Sequence, residues 1–89
     1  MRERPVFYIQ GEVAKPGGYP LEQGYTLLKA ISIAGGVSQW ADRKEVELHR
    51  DLKGGAQKIV VNLKAIEQRK QPDMELQPED IIIVKRRLL

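Results

Sequence analysis

The side chains able to do chemistry are few, and each stands where a structural role accounts for it. His49 is the single histidine. It falls in Glu45-Val46-Glu47-Leu48-His49, an alternating run that puts Val46 and Leu48 on one face and the imidazole on the other, toward solvent. A general base or a metal site needs partners converging from elsewhere, and the flanking Glu47 and Arg50 do not supply them. Asp42, Asp51, Asp73 and Asp80 stand in turn or cap contexts, where the carboxylate bonds to backbone N–H groups. Asp80 is expected to fix the turn before the last strand. Gly35-Gly36 closes a helix instead of opening one, so it is misplaced for cradling a phosphate. The chain has no cysteine, which removes disulfides, thiolate zinc sites, iron–sulfur clusters and thiol nucleophiles together. No catalytic residue, metal site or cofactor is expected.

Binding chemistry has better candidates. Trp40 follows Gly36-Val37-Ser38-Gln39 in a loop and precedes Arg43 and Lys44. A flat aromatic ring with polar neighbours suits the face of a pyranose, so Trp40, Tyr19 and Arg43 form a candidate ligand-binding set. The competing reading for Trp40 is a residue packed over the end of the helix, and for Tyr19 and Tyr25 simple packing near the turns.

Several elements must position these groups. Phe7-Tyr8-Ile9-Gln10-Gly11-Glu12-Val13 alternates with period two, placing Phe7, Ile9 and Val13 on one face. Lys15-Pro16-Gly17-Gly18 is turn chemistry: Pro16 presets φ, and Gly17 or Gly18 supplies a positive φ. Tyr19-Pro20-Leu21 returns as an edge strand, since Pro20 cannot donate to a ladder. Leu27, Ala30, Ile31 and Ala34 recur at helical spacing, with Thr26 as N-cap and Gly35-Gly36 as the left-handed close. A second hairpin pairs Glu45–His49 with Lys58–Leu63 across a turn at Asp51–Gly55. Asn62 caps a short helix to Gln68, and a corner at Pro78 leads into Ile81-Ile82-Ile83-Val84. Four β-branched residues in a row indicate a central strand with both faces at least partly covered. The order predicts an α+β protein of the β-grasp type. Its mixed sheet has about four to five strands, one main helix across one face and a short second helix.

At 89 residues, 42% hydrophobic and 30% charged, the chain has room for one core and reads as a single domain over 1–89, with its core at about 6–84. The net charge of +3 is spread among acids, unlike the one-sided basic faces of nucleic-acid binders, so nucleic acid is not expected as a partner. No apolar run approaches the ~20 residues that span a bilayer, and Met1-Arg2-Glu3-Arg4-Pro5 lacks the apolar stretch of a signal peptide. The chain reads as a fragment of a longer protein.

Four motifs stand in a fixed order: Gly11-Glu12-Val13-x-Lys15-Pro16-Gly17, Thr26-Leu27-Leu28-x-Ala30-Ile31, Ala34-Gly35-Gly36, and Leu76-x-Pro78-x-Asp80-Ile81-Ile82. Together they resemble the SLBB (soluble ligand-binding β-grasp) domain of bacterial polysaccharide export proteins, from about Val6 to Val84. The resemblance implies a non-catalytic module of a capsule or exopolysaccharide exporter, whose parent is periplasmic or outer-membrane-associated. Implied partners are other copies or domains of that parent and, beyond them, polysaccharide. A related domain occurs in DNA-uptake competence proteins; these typically approach the last strand through an Asp-Gly-type turn, so Leu76-x-Pro78-x-Asp80 favours the export branch. Glu79 departs from the export pattern, which usually has Gly there, and Glu resists a positive φ. Other β-grasp chemistries do not fit. Ferredoxin-type members need cysteines, and carrier members act through a C-terminal Gly-Gly where this sequence has Lys85-Arg86-Arg87-Leu88-Leu89.

The final strand carries the remaining expectation. If Phe7, Ile9, Ile82 and Val84 meet the helix, then Tyr8, Ile81 and Ile83 point the other way. An exposed strip of that kind marks an interface more often than a pocket.

Overall fold

Period-two alternation at the start of the chain becomes a strand whose two faces differ in full: Phe7 and Ile9 are completely buried, while Tyr8 and Gln10 are exposed. In the computed structural model, which describes residues 4–52 and 54–88, this strand is β1, Val6–Gly11. It is followed by β2 (Gly17–Pro20), α1 (Leu27–Ile33), β3 (Val46–Leu52), β4 (Gly55–Val61), α2 (Leu63–Glu67) and β5 (Ile81–Val84). The five strands form one sheet in the order β2-β1-β5-β3-β4. β1 and β5 lie parallel in its interior, and the other neighbours are antiparallel. A sheet with its first and last strands parallel at the centre and a helix across one face is the expected β-grasp.

The helix forms because its apolar positions and its caps agree. Leu27, Ala30, Ile31 and Ala34 are all buried, and Thr26 Oγ1 accepts from Lys29 N–H at 3.3 Å. Two further N–H groups of the first turn find partners far along the chain: Leu27 donates to the Met74 carbonyl at 2.8 Å and Leu28 to Asp73 Oδ1 at 3.3 Å. The polar stretch around Asp73 is therefore a strap over the start of α1. At the other end Gly35 N–H bonds to the Ser32 carbonyl and Gly36 N–H to the Ile31 carbonyl, a Schellman close. Gly35 has φ of 89°, and a Cβ there would lie 2.8 Å from Ala14 Cβ.

Phe7, Ile9, Leu27, Val46, Leu48, Leu63, Ile82 and Val84 are fully buried in one cluster shared by both helices, so α1 and α2 cover the same face of the sheet. Each large side chain among them contributes about 1.5–3 kcal/mol from water exclusion. Tyr19 stacks on Phe7 at a centroid distance of 5.7 Å, and Tyr25 meets Phe7 edge-on at 6.2 Å.

Three expectations need correction. β1 ends at Gly11 instead of running on to Val13. Gly11 takes φ of 96°, and a Cβ on it would sit 2.0 Å from the Val84 carbonyl oxygen, so the chain breaks there and Val13 reaches the core through a bridge to Val37. The second hairpin is tighter than the expected Asp51–Gly55 turn. Asp51 is a strand residue opposite Ala56, and Leu52 pairs with Gly55. Positive φ at Gly54 permits a two-residue connection, so the ladder extends; Lys53 lies outside the described residues. β4 in turn starts at Gly55 and stops at Val61, leaving Asn62 to cap α2 by accepting from Ala65 N–H at 3.0 Å.

Candidate functional site

Strand β5 carries the two faces of the sheet in alternation. Ile82 and Val84 are fully buried under the helices, whereas Ile81 and Ile83 are half-buried on the opposite side. On that outer face Ile81 lies between Tyr8 of β1 and His49 of β3, and Ile83 between Gln10 and Glu47. Tyr8 is 37% exposed, and Val60, opposite Glu47 on β4, is 57% exposed. Tyr8, Ile81 and Ile83 thus form the strip expected from the sequence, with Val60 as an added apolar member. Polar groups frame it. Glu47 accepts from His49 Nε2 at 2.9 Å and from Lys85 Nζ at 3.1 Å. The hydrogen bond from His49 and then that from Lys85 hold the Glu47 carboxyl below the usual carboxylate range, and Glu47 in turn raises the Lys85 ammonium.

The proposed ligand set does not converge. Tyr19 lies opposite Phe7 near the start of β1, with its ring against the core and its hydroxyl donating to the Lys15 carbonyl. Trp40 lies past the end of β5, at the other end of the sheet, where its carbonyl accepts from Arg87 N–H at 2.7 Å. The indole is half-exposed, and the Arg86 guanidinium stands over the ring at 5.4 Å. The segment after β5 thus lies over the ring. Arg43 is near Trp40 in sequence, but its guanidinium is paired with Glu67 of α2. Trp40 and Arg43 share one loop; Tyr19 belongs to the core.

The turn residues do what their types require. Gly11 allows the close approach of Val84, and the Pro16-Gly17 corner places a φ of 149° at Gly17. In the corner before β5, Asp80 N–H bonds back to the Gln77 carbonyl at 3.1 Å, with Pro78 second and Glu79 third. Glu79 adopts φ of 69°, the left-handed value that the sequence pattern made costly for it. Asp80 is fully buried and accepts from Gln77 N–H at 2.8 Å, which confirms its role in the turn.

Sequence reasoning missed the partner of that carboxylate. Arg50 donates to Asp80 through Nε at 3.1 Å and Nη2 at 2.9 Å, and Nη2 also reaches the Glu75 carbonyl at 3.3 Å. The hydrogen bonds to Asp80 raise the Arg50 guanidinium above its ordinary value. A signal existed: Arg50 continues the inward phase of Val46 and Leu48, and a cation on an inward strand position needs a buried carboxylate. His49 is partly exposed on the outer face as expected. Among the described residues no group of acids and histidine is arranged to hold a metal, and no helix is long and apolar enough to cross a membrane.

The molecule thus has a packed inner face, an open outer face, and a basic loop beside the end of β5. Comparison with curated proteins returned no match. The family model for the SLBB domain matches residues 6–84, from the first residue of β1 to the last of β5. The chain belongs to the SLBB domain family.

Proposed function

We propose that this domain is a non-catalytic interaction module of a polysaccharide export protein, and that it joins another domain or copy of its parent through the outer face of the sheet. The observation that carries the assembly role is the contrast along β5, where Ile82 and Val84 are sealed while Ile81 and Ile83 stay half-buried beside the exposed Tyr8 and Val60. An apolar strip framed by Gln10, Glu47 and His49 has the apolar centre and polar rim of an interface. The export reading is supported by the Leu76-x-Pro78-x-Asp80 approach to β5, built here around the buried Asp80 carboxylate. It implies a parent at the periplasmic side of the cell envelope or at the outer membrane.

The test is a double substitution, Ile81→Lys with Ile83→Lys, in the full-length protein. The complex is expected to dissociate in light scattering, while the domain alone keeps its circular dichroism spectrum. Intact assembly of the variant would overturn the interface. A domain of a DNA-uptake protein would instead show DNA binding that weakens steeply with salt.

A further inference from the structure

Three pieces of chain meet where β5 ends. Residues 85–87 run antiparallel to residues 40–42, with Ala41 bridged to Arg86 and Asp42 N–H donating to the Lys85 carbonyl at 2.8 Å. The start of α2 is tied to the same place, since Lys64 N–H donates to the Arg43 carbonyl at 3.2 Å. Between them lies a cleft of about 380 Å³ lined by Ala41, Asp42, Arg43, Lys44, Lys64 and Arg87. That volume is within the range of roughly 300–1,000 Å³ usual for small-ligand sites.

Its lining is four cations and one carboxylate. Arg43 is neutralised by Glu67, and the Arg87 guanidinium donates to the Gln39 carbonyl at 3.2 Å. Among the described residues Lys44, Lys64 and Arg87 form no ion pair within the molecule. Like charges gathered on a fixed backbone repel, and a bound anion relieves that repulsion. Asp42 restricts which anion fits. Its Oδ1 accepts from Lys44 N–H at 3.1 Å, so a carboxylate stands in the cleft wall. A carboxylate there can accept from a hydroxyl, and it repels a densely charged phosphate chain more than a singly charged group. The half-exposed Trp40 ring nearby already carries the Arg86 guanidinium, with which a stacking base would compete.

We infer that this cleft binds the carboxylate of an acidic sugar chain, with Lys44, Lys64 and Arg87 on the anion and Asp42 on a neighbouring hydroxyl. The inference rests on the export reading and names the ligand class for it. Of the residues lining the cleft, Arg87 alone lies beyond those matched by the family model.

The test is a titration of the 89-residue chain, followed by NMR, with an oligogalacturonate, a neutral malto-oligosaccharide and a single-stranded oligonucleotide. Saturable shifts at Asp42, Lys44, Lys64 and Arg87 are expected with the oligogalacturonate. They should be at least tenfold weaker in Kd for Lys44→Gln/Lys64→Gln, and separately for Arg87→Gln in case the double variant loses its fold. Absence of shifts at these residues with all three probes, or equal binding of the neutral sugar, overturns the site and leaves the export reading standing. Tighter binding of the oligonucleotide at these residues overturns both.

Discussion

The two faces of strand β5 are made from the same kind of residue and carry opposite consequences. Ile82 and Val84 are completely buried beneath α1 and α2, and Ile81 and Ile83, one residue away, are covered only by side chains of neighbouring strands. Nothing in their chemistry separates them; the parity of the strand does. The inner face holds the fold together, so changes there are expected to appear as lost stability. The outer face adds little to that core, so changes there should appear as lost association.

The comparison breaks most sharply at the inner end of β5. Asp80→Ala strands the largely, though not fully, buried Arg50 guanidinium and removes the acceptor for Gln77 N–H, so a loss of about 3 kcal/mol is expected in urea unfolding. Ile82→Ala leaves a cavity among Ile9, Leu48 and the helices, with an expected cost of about 2–5 kcal/mol by the same measurement. Ile81→Ala, on the other face, should cost clearly less than its neighbour; equal losses at 81 and 82 would show that the outer face also supports the fold. Glu79→Gly releases a left-handed φ and should stabilise the domain by up to about 1 kcal/mol, read as a raised Tm.

The smallest effect is electrostatic and sits at the rim of the outer face. Because His49 and Lys85 hold the Glu47 carboxyl below its ordinary value, the folded state favours the charged form. Its contribution is complete above the ordinary glutamate pKa of about 4.3 and is lost as pH falls through that range. The Tm difference between the parent chain and Glu47→Gln should therefore shrink on acidification below about pH 4.

Much of this was legible in the sequence because local physics decides it. Thr26, Gly35 and Asn62 act through groups within a few residues, and the structure shows each cap as expected. Asp80 was legible as a turn residue for the same reason. Its pairing with Arg50 was not, since thirty residues separate them and only the placement of β5 beside β3 brings them together. The hairpin at Asp51 was misjudged because a run of polar and glycine residues looks like a loop, while backbone pairing can continue through it when Gly54 closes the turn. Trp40 and Tyr19 looked equivalent as aromatics beside turns. They stand at opposite ends of the sheet, one against Phe7 and the other under Arg86.

The sequence alone determined the alternation, the helix face, the caps and the glycine-dependent turns, because each depends on contacts within a turn or a strand. It also determined that Tyr8, Ile81 and Ile83 would share a face. Tertiary structure alone decided what lies beside that face and beyond the end of β5: the Glu47–His49–Lys85 rim, the Arg50–Asp80 pair and the basic cleft closed by residues 85–87. These join residues distant in the chain, and their energies exist only once the sheet order has placed charges within hydrogen-bonding reach.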